Sequence, residues 1–209
     1  VISIIKATAI IEEIDTAKSA SIIELVSVER GMQIIENVET DKAGAIIEVV
    51  SVAKASEIVE VVSTVKATAI IEVVTTSRAV DILKTVSEDK AIAVVEMLNV
   101  ERVVSVIQDD KMPEAKLESV LPGLSVGKLF SIPVEVLFEK LQRVPAEQLA
   151  FEEPPSVDPA LPLPIAVEVS STLAVYQVPQ TGALVWGKLV GSPIPIEQIL
   201  GKFKTTLTD

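Results

Sequence analysis

Four pairs of adjacent acidic residues are the first candidates for chemistry, because paired carboxylates can exchange protons or bind a hard cation. They are Glu12-Glu13, Glu88-Asp89, Asp109-Asp110 and Glu152-Glu153. Adjacent side chains on a helix point in different directions, so each pair is a poor catalytic dyad. Asp109-Asp110 can bind a divalent cation only with further oxygen ligands, and a solvated helix end is the simpler interpretation. Divalent cations stay open as partners.

Composition excludes several other kinds of site. The chain has no Cys and no His, so disulfides, thiolate nucleophiles, zinc fingers and histidine acid–base chemistry are ruled out. A net charge of −12 opposes binding to nucleic acid or to an anionic membrane surface. Gly-rich phosphate loops, serine elbows and Ca²⁺-loop spacings are absent from the sequence. We therefore expect no enzymatic activity and no cofactor.

High hydropathy does not indicate a membrane span in this chain. Hydrophobic residues make up 49% of the sequence, and the mean hydropathy is +0.49. The longest uncharged run, 169–187, contains Pro179 and Gly182 and is typical of strands joined by a turn. A spanning helix needs about 20 mostly apolar residues, so none is predicted.

A 12-residue repeat organises the first half of the chain. Basic residues recur every 12 positions: Lys6, Lys18, Arg30, Lys42, Lys54, Lys66, Arg78, Lys90 and Arg102. Glutamates follow the same period at Glu12, Glu24, Glu36, Glu48, Glu60, Glu72 and Glu96, while Lys84 and Gln108 fill the two remaining slots. Nine units fit between residues 3 and 110. Such regularity predicts a repeat architecture.

The pattern within a unit favours a helix. Ala67, Ile70, Ile71 and Val74 have the i, i+3, i+4, i+7 spacing of one helical face. Most units open with a helix-capping residue: Ser3, Asp15, Ser27, Ser51, Ser63, Thr75, Ser87 and Asn99, with Glu39 as the exception. The Ile and Val content leaves a β-solenoid as the alternative. A helix this short is marginal alone, so the units must stack into an α-solenoid of short helices.

The repeated charges predict an inter-repeat charge ladder. Each basic residue lies at the start of its helix and each glutamate near the end, which is unfavourable for that helix's own dipole. We expect each basic residue to meet the end of the preceding helix, in pairs such as Glu48–Lys54 and Glu60–Lys66. The predicted ladder comprises Glu12, Lys18, Glu24, Arg30, Glu36, Lys42, Glu48, Lys54, Glu60, Lys66, Glu72 and Arg78. A solvated charged stripe is the alternative, and Lys84 beside Lys90 interrupts the ladder.

The composition of the chain changes near Pro113, since all 12 prolines lie from there onward, and this change indicates a domain boundary. We predict a solenoid over 1–112 and a small Pro-containing α+β assembly module over 113–209. The module should contain a helix at 133–141, an extended Pro-rich linker at 151–164, strands at 165–171, 172–178 and 183–190, and a terminal helix at 195–203. Residues 179–182 form the expected hairpin turn. Val1 and Ile2 fit the end of a preceding unit, so we expect the array to begin in mid-repeat.

The single Tyr176 and the single Trp186 lie on the predicted hairpin. Aromatic residues are favoured at interaction hot spots, which makes both candidate subunit contacts. Packing in the core of the module is the more ordinary role, and the sequence leaves both open.

The unit Thr-Val-Lys-Ala-Thr-Ala-Ile-Ile-Glu-Val-Val (64–74) resembles the short-helix superhelix at the N-terminal end of MgtE-type magnesium transporters. That resemblance covers the first 112 residues, lacks the family's Pro-Glu corners, and implies a divalent-cation-sensing role. The chain as a whole also looks like archaeal surface-layer, sheath or filament proteins, which implies an extracellular and thermophilic setting. The leading hypothesis is a non-enzymatic structural protein that assembles with copies of itself. The alternative is a binding scaffold or cation sensor.

Overall fold

A computed structural model describes residues 3–152, 164–195 and 197–199 of the chain. The chain divides into two compact units, Val1–Pro113 and Glu114–Asp209. The first holds the helical repeats and the second is a small α+β module, so the predicted fold class is confirmed. Each unit is described by itself below.

Nine short helices make up the described part of the first unit, one for each repeat. They are α1 (Ile4–Glu13), α2 (Thr16–Leu25), α3 (Val28–Asn37), α4 (Thr40–Val49), α5 (Val52–Val61), α6 (Thr64–Val73), α7 (Thr76–Leu83), α8 (Glu88–Met97) and α9 (Val100–Gln108). Eight predicted capping residues accept a hydrogen bond from the backbone N–H three residues later, at 2.8–3.4 Å. Glu39 makes no such side-chain bond. The capping pattern therefore marks where eight of the nine described helices begin.

Each helix packs against the second helix along the chain. The side-by-side pairs are α1 with α3, α2 with α4, α3 with α5, α4 with α6, α5 with α7, α6 with α8 and α7 with α9. The predicted core positions are buried, since Ala67, Ile70 and Ile71 are 0% exposed and Val74 is 5% exposed. The apolar stripe of each helix is buried against the helices two units away. A single unit would have nothing to cover this stripe, so the units must stack.

Position eight of the unit shows how burial depends on these neighbours. Ile34, Ile46, Ile58, Ile70 and Ile82 occupy this position and are 0–2% exposed. Ile10 and Ile22 occupy it in the first two helices, where they are 46% and 38% exposed. Within the described residues, α1 and α2 have no helix two units earlier to cover them. The same side chain is thus core or surface according to the presence of that neighbour.

The second unit combines three short helices with an antiparallel sheet. Its helices are α10 (Glu114–Val120), α11 (Val126–Ser131) and α12 (Val134–Lys140). Its strands are β1 (Val144–Pro145), β2 (Ile165–Ser170), β3 (Leu173–Gln177) and β4 (Leu184–Lys188), in the order β1-β2-β3-β4. Pro133 precedes α12 as its N-cap, as predicted. The linker predicted at 151–164 and the terminal helix at 195–203 lie mostly outside the described residues.

The hairpin joining β3 to β4 lies where the sequence predicted it. Val178 donates its backbone N–H to the carbonyl of Ala183 at 2.8 Å. Gly182 has φ +72°, a conformation that glycine adopts without steric cost. Val175 pairs with Trp186 and Tyr176 with Val185 across the two strands. One residue of the predicted linker departs from expectation: Phe151 is 7% exposed and bridges to Leu189, because its ring packs on the sheet.

Replacing Gly187 by alanine is expected to lower the free energy of unfolding of the module by about 1–3 kcal/mol. A Cβ atom at Gly187 would lie 2.3 Å from Cε1 of Phe151 and 3.1 Å from Cδ1 of Tyr176. Aromatic rings cannot deform to relieve this overlap, so either the strand or the rings must move. Urea denaturation monitored by tryptophan fluorescence measures the loss. A second variant that combines Gly187→Ala with Phe151→Leu should recover part of it, and equal loss in both would contradict this explanation.

Candidate functional site

The repeated glutamates bind the start of the helix three units further along. The carboxylates of Glu24, Glu36 and Glu48 each accept the backbone N–H of a capping residue at 2.9 Å. The same carboxylates accept the hydroxyl of that capping residue at 2.6–2.8 Å. The full set of carboxylate–cap pairs is Glu12–Glu39, Glu24–Ser51, Glu36–Ser63, Glu48–Thr75, Glu60–Ser87 and Glu72–Asn99. Every pair spans 27 residues.

The repeated cations make the reciprocal contact. Each donates to the carbonyl at the end of the helix three units earlier, 28 residues away: Lys42 to Ile14, Lys54 to Val26, Lys66 to Val38, Arg78 to Val50, Lys90 to Val62 and Arg102 to Val74. Arg78 and Arg102 add a second bond from Nε to the carbonyls of Ile47 and Ile71, both at 2.8 Å. We call these two bonds together a corner contact: the glutamate of one unit binds the start of the third helix along, and the cation of that third helix binds the end of the first. Each corner contact thus joins the corner at which one helix ends to the corner at which the third helix along begins.

Corner contacts satisfy the backbone groups that every helix leaves unpaired at its ends. The carboxylate lies at the positive end of one helix dipole and the cation at the negative end of another, so both charges are favourably placed. Lys54 and Arg78 are only 9% exposed, and the carbonyls they bind offset the loss of water. Burial lowers the pKa of Lys66 and Lys90, while neighbouring glutamates oppose that shift.

The partners within the charge ladder differ from those expected. Glu48 and Lys54 were expected to pair, yet Glu48 binds Thr75 and Lys54 binds Val26. Glu48 and Lys54 lie on either side of the corner between α4 and α5. The carboxylate of Glu48 binds the start of α7, three units after its own, and the ammonium group of Lys54 binds the end of α2, three units before its own. Likewise Glu60 binds Ser87 and Lys66 binds Val38. Helices two units apart lie side by side, which brings the end of each helix beside the start of the third helix along.

Lys18, Arg30 and Lys84 of the sequence pattern have other surroundings. Lys18 forms an ion pair with Asp15 at 2.8 Å, and the backbone N–H of Arg30 donates to Ser27. Lys84 replaces a glutamate in the seventh unit and lies 2.5 Å from Asp81. Its corner contact would require a tenth unit, whereas the described array comprises nine. Lys84 therefore interrupts the ladder in the seventh unit, which is the first unit for which the described array has no unit three places further along.

Replacing Glu24 by glutamine is expected to lower the free energy of unfolding by up to about 1 kcal/mol at neutral pH. Hydrogen bonds from the hydroxyl and then the backbone N–H of Ser51 lower the pKa of Glu24. Its contribution is therefore complete above the unfolded pKa of about 4.3 and is lost as the pH falls through the lower folded pKa. Urea denaturation of both proteins from about pH 7 to about pH 2 should show the difference shrinking toward zero. A difference that grows on acidification would refute the assignment.

The two hairpin aromatics pack within the module. Trp186 is 6% exposed, and its ring lies 5.1 Å from that of Phe130 in an edge-to-face arrangement. Tyr176 is half-buried, with its ring 5.4 Å from that of Phe151. Burial of Trp186 corresponds to the core role that the sequence left open for it. Tyr176 keeps a partly accessible ring.

A shallow groove in the module is lined in part by two glutamates and two serines. It has a volume of about 230 Å³ and is lined by Glu118, Leu141, Glu168, Ser170 and neighbouring residues. Among the described residues, no group of three or more acidic side chains is arranged to hold a metal ion. The Asp109-Asp110 pair closes α9, where Asp109 accepts the backbone N–H of Lys111 at 2.9 Å. The corner contacts are therefore the most extensive polar arrangement in the described chain.

Within the described residues, no helix is both long enough and apolar enough to cross a membrane. Comparison with known proteins finds no matching family model, no similar curated protein and no similar solved structure.

Proposed function

We propose that this chain is a non-enzymatic structural protein of an extracellular surface layer, sheath or filament. The array acts as a stiff spacer, and copies of the chain assemble with one another through the α+β module and exposed surfaces of the array. The observation that carries the proposal is the corner contact, which ties each helix to the third helix along and repeats six times between Glu12 and Arg102.

Rigidity supports this role. A solenoid whose units touch only through apolar side chains can bend where packing is loose. Here the four central corners, between α3 and α7, also have charged hydrogen bonds on both sides, and bonds of this kind are shorter and stronger than neutral ones. The acidic side chains of the ladder are bound to helix ends, so they are engaged in structure. This regular distribution of charge suits a spacer, whereas a catalytic centre needs a unique cluster.

Electron microscopy of the purified chain over a concentration series, with and without Ca²⁺, tests the proposal. Ordered filaments, tubes or sheets are the expected result, and their symmetry would give the subunit contacts directly. Isolated rods at every concentration would overturn it. Rods that also release or absorb heat on titration with Mg²⁺, Ca²⁺ or peptides would favour the binding-scaffold or cation-sensing alternative.

A further inference from the structure

Position eleven of the repeat divides the array into two kinds of helix. In the even-numbered units it is always apolar and exposed: Leu25 is 88% exposed, Val49 57%, Val73 48% and Met97 51%. In the odd-numbered units it is Glu13, Asn37, Val61, Thr85 and Asp109, which are polar except for Val61. Burial in the fold does not explain this difference, because the position is exposed in units one to eight, whether odd-numbered or even-numbered.

The apolar residues form a continuous row. The helices α2, α4, α6 and α8 pack side by side in that order, so their position-eleven side chains lie on neighbouring helices. One turn earlier on three of these helices are Ala45, Ala69 and Ala93, which are partly buried. Val65 on α6 adds a further side chain that is 66% exposed. We call this surface the even face. It consists of a ridge of larger apolar side chains beside a row of alanines.

The even face is large enough for a specific contact. Four helices of ten residues, each about 15 Å long with axes about 9 Å apart, cover on the order of 500 Å² in flat projection. Accessible area exceeds the flat projection, and stable interfaces bury about 600–1,000 Å² per partner. The largest exposed apolar patch of a monomeric protein covers about 300–600 Å² and is often functional.

Charge and shape point to the kind of partner. Asp41 and Asp89 lie exposed on the same side of α4 and α8, which opposes an anionic lipid surface or nucleic acid. The lysines of these helices that could offset them, Lys42 and Lys90, are bound to backbone carbonyls. A ridge beside a row of small residues is complementary to itself, because a two-fold axis places each ridge over the alanines of the other copy. We propose that the even face is a lateral interface between two copies of this chain, which rests on the proposed self-assembly.

Sedimentation velocity of the full chain over a concentration series tests the interface. Val49→Lys places a charge in the ridge and should weaken self-association at least about tenfold. Val61→Lys is the matched control, because Val61 has the same residue type and repeat position, is 49% exposed and lies on an odd-numbered helix. It should leave the dissociation constant within about threefold of the original. Met97→Lys is a second ridge variant, and circular dichroism confirms that each variant folds.

The outcomes separate this inference from the proposed function. Weakening by Val49→Lys and Met97→Lys but not by Val61→Lys supports the even face. Self-association that persists in both ridge variants overturns the even face and leaves the structural role intact, with the contact elsewhere. Equal weakening by all three variants also overturns it, since an unspecific apolar effect would then suffice. A chain that is monomeric at every concentration overturns both.

Discussion

Replacing Ile70 by alanine is expected to lower the free energy of unfolding of the array by about 3–4 kcal/mol. The side chain is 0% exposed on α6, so its removal costs both the burial of the methyl and methylene groups and the cavity they leave. Helices on either side limit how far this cavity can collapse. Urea denaturation monitored by circular dichroism measures the change.

Ile10→Ala is the matched control for Ile70→Ala. Ile10 occupies the same position of the repeat, but it is 46% exposed because the described residues include no helix two units before it. Its replacement should cost no more than about 1 kcal/mol. Equal losses at the two positions would contradict the side-by-side packing of helices two units apart.

Replacing Arg78 by methionine is expected to lower the free energy of unfolding by about 2–4 kcal/mol. Its Nε donates to Ile47 at 2.8 Å and one of its terminal nitrogens donates to Val50, so two carbonyls at the end of α4 lose their donor. The side chain is 9% exposed, and water reaches this corner poorly. Urea denaturation again provides the measurement.

Two further variants test the cause of the Arg78→Met effect. Arg78→Lys should cost only about 1 kcal/mol, because lysine makes the single carbonyl contact at this position in other units. Lys6→Met removes the exposed cation of the first unit and should change stability by no more than about 0.5 kcal/mol. A loss at Lys6 as large as that at Arg78 would show that the cation acts through general charge and not through the corner.

Local features of the array could be predicted from the sequence, because they depend on neighbouring residues. Ser63 marked the start of α6, and Ala67, Ile70 and Ile71 marked its buried face. The partners of Glu48 and Lys54 could not be predicted in this way. A period of 12 residues fixes the length of each unit, but it does not say which unit lies beside which corner. Side-by-side packing of alternate helices decides that, and it arises from the whole array.

In the module, the strands were predicted more completely than the helices. The apolar segments before and after the predicted turn at 179–182 located β2 to β4, whereas β1 has only two residues and no pattern of its own. The helices α10 and α11 were not predicted, because at seven and six residues they are too short to show a clear helical period. A signal for α11 was present: Ser125 accepts the backbone N–H of Lys128 at 3.1 Å, the same cap that opens the repeats.

A pair of double-mutant cycles tests most directly the central claim that corner contacts join helices three units apart. The first cycle combines Glu48→Ala with Thr75→Ala, whose side chains are hydrogen-bonded at 2.8 Å, and the second combines Glu48→Ala with Lys54→Ala. We expect a coupling energy of about 1 kcal/mol between Glu48 and Thr75 and less than about 0.5 kcal/mol between Glu48 and Lys54. Strong coupling to Lys54 with none to Thr75 would contradict the claim and restore a ladder between adjacent units.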